Sequence, residues 1–169
     1  AVWLGEPTHA AVENLEKGLG VSGEAAIKAR LKDDVHHFNV PYHSPTANHI
    51  ANAFDFAKKL AGQTYEERTL TAPGFFEDYE DPQGVDDFDW PDPARYIDRE
   101  ELAARARAIP TDKASMVITW SAHFQDACSA FGMETALAKM MLEPEMFQAV
   151  IDRITEFYLR ANEIVYEST

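Results

Sequence analysis

The residues best suited to chemistry stand where short apolar runs give way to polar ones. Trp120, Ser121 and His123 end or follow the run from Ser115 to Trp120, which is rich in β-branched residues and comes after the turn signal Pro110-Thr111-Asp112. An imidazole there can exchange a proton near neutrality, a hydroxyl can donate a hydrogen bond, and an indole can stack on a flat ligand. Glu6 stands just past another such run, Val2 to Leu4, where a carboxylate can act as a base or face a ligand. Tyr42 and His43 lie in the loop Pro41-Tyr42-His43-Ser44-Pro45, after a third run from Val35 to Val40. Glu6 and His123 are the candidate catalytic pair; Trp120, Ser121, Tyr42 and His43 are the candidate substrate-binding set.

Each has a plainer reading. Glu6 can complement the dipole of the following helix, and His123 can be a hydrogen-bonded packing residue. Trp120 can plug a core, and Ser121 can simply turn the chain. Asp126 reads as a cap or as a partner that orients another group. His36, His37, His43 and His49 suggest a metal, but in a strand His36 and His37 point to opposite faces and cannot share one ion. No metal site is expected. Cys128, the only cysteine, reads as a small buried residue; no intrachain disulfide can form, which suits a reducing cytoplasm.

Elements must hold these residues in place. A short, continuously apolar strand such as Ser115 to Trp120 is expected to be buried on both faces, as in parallel sheets covered by helices. Helical patterns lie on either side, so a βα unit is the natural reading, and ligands gather at the carboxyl end of such strands. In chain order, Thr8 is placed as the cap of a helix through Leu19, and Ser22 as the cap of a second through Leu31. Ile50 to Ala57 suggests a short helix, and Glu67 to Thr71 with Phe75 to Tyr79 a hairpin. Asp98 caps a helix over Glu100 to Ile109; helices follow over Phe124 to Phe131 and Thr135 to Leu142. Pro144 opens the last helix, whose stripe Phe147, Val150, Ile151, Ile154, Tyr158, Ala161 and Val165 keeps helical spacing.

Composition narrows the function classes. A hydrophobic fraction of 46% and a charged fraction of 26% belong to a globular chain, and 169 residues suit one domain with an irregular acidic insertion at about 62–92. The net charge of −14 argues against nucleic acid and anionic membranes, since no basic stripe meets phosphate. Acid concentrates in Glu77 to Asp92, where no Lys or Arg interrupts; a solvated face is the simplest reading, and the spacing matches no calcium loop. No apolar run approaches the roughly 18 residues that a membrane span needs. The opening Ala1-Val2-Trp3-Leu4-Gly5 reads as the tail of a strand, and the closing helix has no strand after it, so a piece of a longer polypeptide is expected.

Three stretches in succession carry a family resemblance: V-W-L-G-E-P at 2–7; F-D-W-P-D-P at 88–93, followed by W-S-A-H-F-Q-D-A-C-S-A-F-G-M-E at 120–134; and L-A-K-M-M-L-E-P-E at 137–145. Their order and spacing resemble the amino-terminal half of the uroporphyrinogen decarboxylase-like superfamily, which includes cobamide-dependent methyltransferases. The resemblance implies part of a (β/α)8 TIM barrel with extra amino-terminal helices and parallel strands, of which the chain supplies about three. Where the decarboxylases carry an arginine-bearing loop that grips substrate carboxylates, this chain reads Glu6-Pro7-Thr8-His9. After the second strand it reads Asn39-Val40-Pro41-Tyr42, without the aspartate that faces the pyrrole nitrogens. A polycarboxylate substrate needs cationic partners, so the methyltransferase-like branch is favoured over porphyrinogen decarboxylation. That branch implies a small-molecule substrate, a corrinoid or corrinoid protein, zinc with ligands outside this chain, and a possible homodimer. The alternatives are a decarboxylase of a porphyrinogen or smaller acid, a non-catalytic binding module, or a protein whose barrel another chain completes.

Overall fold

Pro144 starts the longest element: its ring presets a helical φ and removes an N–H that a helix start leaves unpaired anyway. The apolar stripe beyond it runs without a breaker. The computed structural model of the protein describes residues 9–43, 54–56, 71–118 and 122–169, and there this segment is α6, Pro144–Ser168, 25 residues long. The expected strand Val2 to Leu4 and most of the expected helix at 50–57 lie outside the described residues; Phe54 to Phe56 within it form a bend and not a helix. The architecture is mixed α/β, mostly helical, with one small parallel sheet of two strands among the described residues. The chain divides into two units, Ala1–Phe38 with Ala108–Met116 and Asn39–Arg107 with Val117–Thr169.

The first unit holds α1 (His9–Leu19) and α2 (Glu24–Leu31), then the paired strands β1 (Val35–Asn39) and β2 (Ala114–Ile118), whose last residues fall in the second unit. Ser22 is not the cap of α2. Gly23 is, at φ 85°, and it makes no side-chain cap bond. Its N–H instead donates to Glu16 Oε1 at 2.6 Å, so the carboxylate of α1 meets the start of α2. Lys32 ends α2 in the left-handed region at φ 52°, its N–H donating to Ala29 O. Lys113 fixes the entry to the sheet, its Nζ donating to Asp33 O at 2.9 Å beside the Ala114 N–H bond to Asp34 O.

β2 corrects the expectation of a strand buried on both faces. Ala114 and Ser115 are exposed, and Met116 is 38% exposed. Burial on both faces requires helices over both, and the exposure of Ala114, Ser115 and Met116 shows that neither face is fully covered here. The residues after it, 119–121, lie outside the described set.

The second unit is built around α6, which packs on α3 (Arg99–Arg107), α4 (His123–Phe131), α5 (Met133–Leu142) and two 3₁₀ turns, Pro82–Asp87 and Pro93–Arg95. Its buried face carries Met146, Val150, Ile154, Phe157, Tyr158 and Ala161. Against it lies an aromatic nest of Phe54, Phe56, Phe76, Phe88 and Trp90, with ring centroids between 4.8 and 6.1 Å. Trp90 is a packing residue; its Nε1 donates to Val85 O at 2.8 Å. Of the hairpin expected from Glu67 to Thr71 with Phe75 to Tyr79, residues 67–70 lie outside the described set; residues 75–78 form turns and not a strand, and Phe76 N–H donates to Ala130 O, a carbonyl that the end of α4 leaves unpaired. Gly74 permits that approach: a Cβ there would lie 2.1 Å from the same oxygen. Gly132, at φ 84°, turns α4 directly into α5.

Candidate functional site

The segment after β1 is pinned before it can present a side chain. Arg105 Nη1 donates to Asn39 O at 3.1 Å, Asp98 N–H to Pro41 O at 3.0 Å, and His43 N–H to Tyr96 O at 2.9 Å. Tyr42 thereby forms an antiparallel bridge with Ile97, and its ring meets Tyr96 edge-on at 5.9 Å and Phe157 at 6.4 Å. The Tyr42 hydroxyl is buried and has no hydrogen-bond partner among the described residues. Such a group is destabilising unless something pairs with it.

The segment after β2 supplies the other half. α4 begins at His123, and Asp126 in its first turn donates its N–H to Ala122 O at 2.8 Å. Its carboxylate is 4% exposed, and its Oδ2 accepts from the Tyr158 hydroxyl of α6 at 2.7 Å. The His123 ring lies 5.0 Å from the Tyr158 ring. Tyr158 therefore links His123, whose ring it meets, to Asp126, whose carboxylate it bonds.

Burial sets the electrostatics. Asp126 is pushed up from 3.8 to about 6, because loss of water outweighs the stabilising bond from Tyr158. The Tyr158 hydroxyl is raised far above its ordinary value by burial, then by the neighbouring Asp126 charge and the hydrogen bond to it. Tyr42 is raised by burial, then by Tyr96 and Asp126. Both phenols stay protonated at neutral pH, while Asp126 exchanges its proton close to it. The arrangement can hold a polar ligand atom at Tyr42 and move a proton at Asp126.

Of the predicted site residues, Tyr42 and His123 come to this cluster. His43 is exposed beside it. Glu6, Trp120 and Ser121 lie outside the described residues. Asp126 fills the partner role foreseen for it. Tyr158 was not foreseen as more than part of the α6 stripe, although a tyrosine among buried apolar positions needs a partner for its hydroxyl, and that is the signal that points to it. Cys128 is fully buried, and its thiol is pushed up by that burial, so it is no ready nucleophile.

No family model, curated protein or solved structure matches this chain. Among the described residues no three His, Cys, Asp or Glu gather closely enough to hold a metal ion. No described helix is long and apolar enough to cross a membrane.

Proposed function

We propose that the chain is part of a uroporphyrinogen decarboxylase-like TIM-barrel enzyme, of the methyltransferase-like branch, acting on a small molecule with a corrinoid partner. One observation carries this reading. The segment after β1 and the segment after β2, two parallel neighbours, bring Tyr42 and His123 to one buried hydrogen-bonded pair, Tyr158 and Asp126. Convergence of segments that follow neighbouring parallel strands is what a barrel rim requires. Tyr42 would orient the substrate through its unpaired hydroxyl, His123 would border the ligand, and Asp126 with Tyr158 would hold or release a proton. Glu6, Trp120, Ser121 and His43 complete the proposed rim.

A second reading, decarboxylation of a small acid, is favoured by Asp126 alone: a carboxyl titrating at about 6 can supply the proton that replaces the lost carboxylate. The test uses the natural polypeptide that carries this chain. It is given zinc, methylcobalamin and a panel of small thiols, with methyl thioether formation as the readout. Tyr42→Phe and Asp126→Asn are expected to slow transfer by about tenfold or more. Release of carbon dioxide from small acids, without methyl transfer, would replace the first reading by the second. Neither reaction, with a partner chain bound instead, would make the protein a binding module.

A further inference from the structure

α5 carries large apolar side chains on its outward side. Leu137, Met140 and Met141, spaced at i, i+3 and i+4 on one side, are 47%, 43% and 80% exposed. Leu142, 78% exposed, lines an open groove of about 620 Å³ on the adjoining side of α5, which the segment at 77–80 also borders. Glu77, Asp78, Glu80, Glu134 and Glu143 line that groove. Lys139 is its only basic lining residue among those described, and its ammonium is buried against Tyr79 O and Glu143. The exposed apolar stripe thus has an acidic groove along one flank.

Charge decides the occupant. A second copy would set Glu134 and Glu143 against the same acids, in a chain whose net charge is −14. A partner with the opposite charge on its flank gains on both counts: flexible thioethers adapt to its apolar anchors, and carboxylates pair with its cations. We propose that the outer face of α5 docks an amphipathic helical segment of a partner protein, its apolar stripe flanked by Lys and Arg. This is the helix-in-groove mode, read through anchors at helical spacing.

The test titrates the protein with two synthetic helical peptides sharing one leucine stripe, one flanked by Lys and Arg and the other by Glu. The expected result is binding of the basic peptide alone, weakened by added salt. It should also weaken by at least about tenfold in the double variant Met140→Ser, Met141→Ser. Both side chains are exposed, so the circular dichroism of that variant should match the parent. Equal binding of the acidic peptide, or an affinity unmoved by the double variant, would overturn the proposal. So would a concentration-dependent dimer that the double variant abolishes, since a second copy would then occupy the face.

Discussion

Two nests share the buried side of α6, and they are built to opposite rules. Around Ile154 and Phe157 the aromatic nest of Phe54, Phe56, Phe76, Phe88 and Trp90 has its indole N–H bonded to Val85 O. Around Tyr158 the polar nest holds a buried carboxyl that titrates near 6 and a buried Tyr42 hydroxyl lacking a partner among the described residues. The first nest is complete in itself and serves stability. The second carries groups whose state costs free energy in the folded chain, a pattern that marks sites more than scaffolds.

The comparison breaks most visibly at Phe76, fully buried and touching Phe56, Phe88, Trp90 and Phe131. Phe76→Ala should cost about 3–5 kcal/mol in urea denaturation, with no change in the pH dependence of stability. A loss below about 1 kcal/mol would show that this nest is loosely packed.

Asp126 gives the next effect, and it depends on pH. Its folded pKa, about 6, lies above the ordinary 3.8, so folding favours the protonated acid. The associated stability is fully present below about pH 4, is lost as pH rises towards 6, and stays lost above it. Asp126→Asn removes that titration. Its stability relative to the parent should rise by on the order of 2–3 kcal/mol between pH 4 and 7, read from paired denaturation curves. A flat difference would mean that the carboxyl is not buried as described.

Tyr158→Phe sharpens the same point with a smaller loss, about 1–3 kcal/mol, because it leaves Asp126 without its donor. The cost should be larger at pH 8 than at pH 5, since the bond is stronger to a charged carboxylate. Smallest are the caps. Asp98→Ala should cost about 1 kcal/mol, as Asp98 Oδ1 accepts from Glu101 N–H at 2.9 Å, whereas Ser22→Ala should change melting negligibly.

Helices were legible because their signals are local. Pro144, Asp98 and the stripe of α6 act within a few residues, and the structure places each helix where they point. The segment at 71–79 was illegible for the converse reason: Phe76 is fixed by Ala130 O, far away in sequence, and Gly74 matters only because that oxygen approaches it. The exposure of β2 is not legible, because apolar composition says nothing of which elements cover a strand. In the candidate site Tyr42, His123 and Asp126 could be picked by position after strands. Tyr158 could not, since its place on α6 makes it look like core until its hydroxyl is seen to need Asp126.

Membership in a barrel requires that Val2 to Leu4 join β1 and β2 in one parallel sheet. A crystal structure of the natural polypeptide that carries this chain tests it most directly. The account predicts that Val2 to Leu4 pairs parallel with β1, placing Glu6, Tyr42 and Trp120 around one cavity above Asp126. An antiparallel pairing there, or Glu6 and Trp120 on opposite ends of the sheet from Tyr42, would contradict it.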